Sequence, residues 1–78
     1  MIAIPHGLAA EVLRALQDGP RTTGQIVDAI DQARGRGEEE PGVGLAPVWR
    51  AAIDLRDHGM VARNGIDLLF PCTWELRR

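Results

Sequence analysis

The sequence predicts an α+β domain: three helices followed by a two- or three-stranded antiparallel β unit. Three observations predict it. Apolar residues recur at helical spacing in three segments, and each segment is closed by a glycine. A capping box stands at the head of the second segment. The C-terminal third changes to short alternating runs around an Asn-Gly turn signal. Helical periodicity followed by period-two alternation marks a switch of secondary structure within one small domain.

The first helix is expected over about residues 6–18. Leu8, Val12, Ala15 and Leu16 follow the i, i+4, i+7, i+8 spacing of one buried stripe, and Ala9 and Leu13 widen it. Glu11, Arg14 and Gln17 take the solvent face, and Gly19-Pro20 is the stop signal. The second helix is expected over about residues 22–34. Thr22 and Gln25 have the spacing of a reciprocal cap, in which each side chain accepts a hydrogen bond from the other residue's backbone N–H. Ile26, Ala29, Ile30 and Ala33 form its apolar stripe, and Gly35 its terminator.

Residues 35–44, GRGEEEPGVG, contain four Gly and one Pro and read as a loop. Glu38, Glu39 and Glu40 give it an acidic centre. The third helix is expected over about residues 45–58, with Pro47 in the first turn, where its missing N–H is tolerated. Gly59 is the stop. Short strands are expected over about 60–64, 66–70 and 73–77, with Asn64-Gly65 as a turn and Val61 meeting Trp74 across the sheet. The whole chain, residues 1–78, reads as a single domain.

This order resembles the winged helix-turn-helix superfamily of bacterial and phage regulators. GPRTTGQIVDAI is similar to the lead into that family's second helix. VWRAAIDLRDHGMVARNG is similar to its recognition helix running into a wing strand, and TWELR to the returning strand. The resemblance covers about residues 8–77. It departs from the pattern in the long glycine-rich loop and in the acidic balance. It implies double-stranded DNA as partner, read by the third helix in the major groove. On a helical wheel centred on Val48, Ala52 and Leu55, the outer face carries Ala46, Arg50, Ile53 and Asp57. Arg50 has the chemistry to read guanine bidentately, with Trp49 as an apolar contact. Arg36 and Arg63 are placed to meet phosphates.

Other features point away from DNA. The net charge is −2 and the isoelectric point about 5.5, which disfavours affinity built on phosphate neutralisation. Trp49 and Ile53 extend the apolar arc of the third helix beyond what one buried face requires. The N-terminal segment or the glycine-rich loop covers them, or a partner surface does, or they meet bases. The competing function is therefore an acidic winged-helix interaction module that acts on a regulator or host protein through Trp49, Ile53 and the acidic loop. A homodimer is expected from the size of a 78-residue core, with Ile2 and Ile4 joining Trp49 and Ile53 at its interface.

No catalytic constellation is visible, so an enzyme is not expected. His6, His58 and Cys72 lack metal-ligand spacing, no phosphate-binding glycine loop follows a strand, and no cofactor is expected. The lone Cys72 permits no intramolecular disulfide and fits a reducing, cytoplasmic setting. The start, MIAIPHG, lacks the basic and long apolar stretches of a signal peptide or membrane span.

Overall fold

A computed structural model describes residues 7–35, 42–65 and 72–77. Its elements run in the order α1 (Leu8–Ala15), β1 (Arg21–Thr22), α2 (Thr23–Arg34), α3 (Leu45–Asp57), β2 (Val61–Asn64) and β3 (Thr73–Leu76). The three helices pack on one another, and the strands form an antiparallel sheet with the order β1-β3-β2. The architecture is α+β, three helices with a three-stranded antiparallel sheet.

Among the described residues, one strand of that sheet lies between the first two helices. Residues 66–71 lie outside the described residues, so the expected strand over 66–70 is not among these elements. The strand β1, between the first two helices, pairs with β3 through Arg21↔Trp74 and Thr22↔Thr73. Two residues are too few to carry a period. Register also differs from expectation. Val61 lies opposite Leu76, and Arg63 lies opposite Trp74. Val61 and Trp74 are therefore diagonal neighbours on one face, two residues apart along the strands.

Val12, Leu16, Ile26, Ile30, Val48, Ala52, Leu55, Val61 and Trp74 form the buried core. All three residues chosen as the inner face of the third helix are in it. So are the central residues of the first two apolar stripes, whereas Ala33, at the end of α2, is exposed. Among the described residues Trp74 is the one aromatic of the core, and its indole N–H donates to Thr23 Oγ1 over 3.0 Å. That bond fastens the first turn of α2 to the middle of the sheet.

Local signals set most of the helix ends. Thr22 N–H donates to Gln25 Oε1 over 2.9 Å and Gln25 N–H donates to Thr22 Oγ1 over 3.1 Å, completing the reciprocal cap. Gly35 ends α2. At the end of α3, Met60 N–H donates to the Leu55 carbonyl and Gly59 N–H to the Arg56 carbonyl, each over 2.9 Å. These are the two bonds of a Schellman motif, and Gly59 takes its left-handed position at φ 74°. The first helix is shorter than its periodicity predicts. It ends at Ala15 and continues as a turn, so Gly19, at φ 131°, follows the turn rather than capping the helix.

Two contacts fix how the helices meet. Arg34 donates to Glu11 through Nε and Nη2, each over 2.6 Å, tying the end of α2 to α1. Glu11, expected on the solvent face, is thereby mostly covered. The second contact anchors the chain just before α3. Val43 N–H donates to Asp31 Oδ1 over 3.0 Å. A Cβ at Gly42 would stand 2.8 Å from Asp31 Oδ2, so the carboxylate sits where only glycine leaves room for it.

Candidate nucleic-acid interface

The outward face of α3 and the strand β2 meet along one edge. Pro47 occupies the first turn of α3, and the helix then turns Val48, Ala52 and Leu55 inward. What remains outward is set by 100° per residue: Ala46, Arg50, Asp54 and Asp57 are exposed, and Ile53 is half-buried against the core. Trp49 stands at the boundary, 37% exposed, and Leu45, one turn before it, is 60% exposed.

Trp49 is covered by two partners. Its ring packs edge-on against Trp74, with centroids 5.3 Å apart and planes at 78°. The Arg63 guanidinium lies over the Trp49 ring at 4.8 Å from the centroid, and at 5.9 Å from that of Trp74. The register explains the meeting. Arg63 and Trp74 are directly opposite in the ladder and so share a sheet face. Trp74 goes into the core, while the longer Arg63 reaches past the core margin to α3. Trp49 is thus neither core nor free surface.

The charges of this edge are mixed. Arg50 and Arg63 make no ion pair with a described residue. Asp54 and Asp57 share the helix face with Arg50, and Asp57 Oδ1 lies 3.5 Å from Arg56 Nη2. His58 Nδ1 stands 2.7 Å from the Asp54 carbonyl and closes the last turn. The structure therefore brings Trp49 and Arg63 together, while Arg50 is exposed on α3 and Ile53 is half-buried against the core. Arg36, Ile2, Ile4 and the acidic residues Glu38, Glu39 and Glu40 lie outside the described residues.

Arg34 is committed to Glu11. The Arg34 hydrogen bonds hold the Glu11 carboxyl below its ordinary range, against partial desolvation, with smaller attraction from the Arg34 and Arg14 charges. The helical periodicity of α1 places Glu11 on its outward face; the pairing with Arg34 across 23 positions leaves no local signal. The Arg63–Trp49 stack is equally silent in sequence, because it depends on strand register. Elsewhere, Arg14, Arg21 and Arg34 line an open depression of about 740 Å³ between α1 and α2, with Glu11 and Asp18 among them. Among the described residues no three His, Cys, Asp or Glu side chains gather as metal ligands, and no helix is long and apolar enough to cross a membrane.

No family model matches the chain, and no curated protein sequence matches it. A solved structure of HOP2 does match, described in terms of DNA recognition and protein interaction domains and of homologous DNA pairing. It aligns with a TM-score of 0.69 over 91% of this chain and 100% of that chain, at 18% sequence identity. The chain folds as a winged helix-turn-helix. At that identity the likeness speaks to fold alone. In this winged helix, α3 holds the recognition-helix position and β2 and β3 are the wing strands. The long connection between α2 and α3 is the departure from a tight helix-turn-helix.

Proposed function

We propose that this winged helix binds double-stranded DNA through α3 and the wing, and serves as a small cytoplasmic regulator of transcription or of a phage-type switch. The carrying observation is the helix–wing edge, where the Arg63 guanidinium lies over Trp49 and Arg50 is exposed on α3, and neither arginine is spent on a carboxylate among the described residues. Arg50, on the exposed N-terminal half of α3, is the base-reading group. Arg63 is the wing cation for the phosphate backbone, and Arg36 is a second backbone cation. The HOP2 structure, described as recognising DNA, is consistent with such a use of the fold. We assign the chain no catalytic role and no cofactor.

One structural feature favours a second reading, in which the same edge meets protein. Leu45 and Trp49 are the large apolar side chains exposed among the described residues, they stand one helical turn apart, and Asp54 and Asp57 follow on the same helix. A homodimer, or a regulator or host protein, is then the partner, through Trp49 and Ile53 with Ile2, Ile4 and the acidic loop.

Titration of the chain into random-sequence duplex at low and then higher salt separates the two readings. A DNA binder associates at low salt and weakens steeply as salt rises, because bound phosphates release their counterions. No association at micromolar protein in low salt overturns the DNA reading. Light scattering at high concentration tests the homodimer, and a monomer there removes it.

A further inference from the structure

Resting on the duplex-binding reading, we propose that Trp49 does not itself read a base. It is the positioning residue for Arg63, holding the wing guanidinium at the helix–wing edge, where it donates to a DNA phosphate.

Opposite Trp74 in the ladder, Arg63 projects on the face of the sheet that carries the core. A guanidinium cannot follow Trp74 inward, since burying an unpaired charge is strongly unfavourable. It stops at the core margin, where two indoles stand 5.3 Å apart, and it lies 4.8 Å from one ring centroid and 5.9 Å from the other. No described carboxylate pairs with it.

The chemistry of that hold matters. A carboxylate would occupy the N–H fork of the guanidinium and cancel its charge. An aromatic ring uses only the planar face, leaving the N–H donors at the rim and the charge intact. Arg63 is thus immobilised without being neutralised, the state in which an arginine loses least freedom on meeting a phosphate. Trp49 is poorly placed for base contact itself: one side packs on Trp74 and Arg63 lies over its ring, leaving it 37% exposed. Its neighbour Arg50, on the open face, has no such cover.

The experiment measures duplex affinity against salt for wild type, Arg63→Gln, Trp49→Leu, Trp49→Phe and the Trp49→Leu/Arg63→Gln pair. Each variant is first checked by circular dichroism and urea unfolding. Loss of one phosphate contact in Arg63→Gln lowers the steepness of log K against log salt by about 0.9. The expected result is that Trp49→Leu lowers it equally although Arg63 is still present. Trp49→Phe, which keeps an aromatic face, retains the wild-type slope, and the double variant falls no further than either single one. Trp49→Leu with weakened binding and an unchanged slope overturns the proposal, because the indole then contacts DNA directly. An unchanged slope in Arg63→Gln overturns it as well.

A second arm needs no DNA. In the wild type the Arg63 side-chain protons are shifted upfield by the indole ring current; the shift persists in Trp49→Phe and is reduced in Trp49→Leu. Its absence from the wild type overturns the latch itself. If the shift is present but no duplex is bound at low salt, the function reading fails and the positioning role falls with it. Should Trp49→Leu not fold, the slopes of Trp49→Phe and Arg63→Lys decide. The aromatic replacement keeps the wild-type slope, and the flexible ammonium, which loses the planar stack, lowers it. The reverse order overturns the proposal.

Discussion

The indole N–H of Trp74 donates to the hydroxyl of Thr23 across 3.0 Å, joining the central strand of the sheet to the first residue of α2. Trp74 is fully buried, so its donor has no water to fall back on. Thr23→Val is expected to leave that N–H unsatisfied at a cost of about 1–3 kcal/mol, whereas Thr23→Ser keeps the acceptor and loses less. Urea unfolding midpoints at constant m-value measure both. A Thr23→Val variant as stable as wild type would show that the bond adds nothing net to the fold.

The Glu11–Arg34 fork predicts a pH dependence with a definite sign. The Arg34 hydrogen bonds lower the Glu11 pKa in the folded chain. The stability this contributes is therefore complete above the ordinary carboxylate range and is lost as pH falls through the lowered folded value. At pH 7, Glu11→Gln unfolds at lower denaturant than wild type. Below about pH 5, where an unfolded Glu starts to protonate, the gap narrows. A gap that stays constant to pH 3, or one that widens, contradicts the assignment.

Asp31 and Gly42 are expected to behave as one unit. Gly42→Ala pushes a methyl group against Asp31 Oδ2 and loosens the bond to Val43 N–H. Asp31→Ala removes that bond outright, at a cost of about 1 kcal/mol. The carboxylate end can move, so Gly42→Ala costs less than Asp31→Ala. In the double variant the methyl group has nothing left to displace, and the two losses do not add. Additive losses in a thermodynamic cycle would separate the two residues.

The acidic residues on the outer face of α3 supply a prediction tied to the proposed function. Asp54 is exposed on the face that would meet the groove, beside Arg50. Asp54→Asn is expected to strengthen binding to random duplex at low salt, with the gain fading as salt screens the repulsion. Arg50→Ala is expected to cost about 1–3 kcal/mol of base discrimination, read as a ratio of affinities for a selected site over random duplex. Equal loss on both duplexes would move Arg50 from base reading to backbone contact.

Much of the fold is legible in the sequence because it rests on interactions between near neighbours. Thr22 and Gln25 are three residues apart, Leu55 and Met60 five, and Val48, Ala52 and Leu55 share a helix stripe through backbone geometry alone. Each is written as a spacing, and a spacing survives in one dimension. The candidate site is legible only as a set of residue types. Trp49, Arg50, Ile53 and Arg63 can be picked out as apolar or cationic groups at suggestive positions, but no spacing says which of them touch.

Sequence alone determined the order of the three helices, the caps at Thr22 and Gly59, the inner face of α3 and the change to extended chain after it, since hydrogen bonds and side-chain periods within a few residues enforce all of these. Tertiary structure decided that Arg21–Thr22 supplies a strand beside β3, that Arg34 goes to Glu11, and that Arg63 lies over Trp49. Those outcomes depend on strand register and helix packing across distances of 14 to 53 positions (Trp49 to Arg63, and Arg21 to Trp74). A shift of one residue in β2 would have turned Arg63 to the opposite face of the sheet and left Trp49 without its cation.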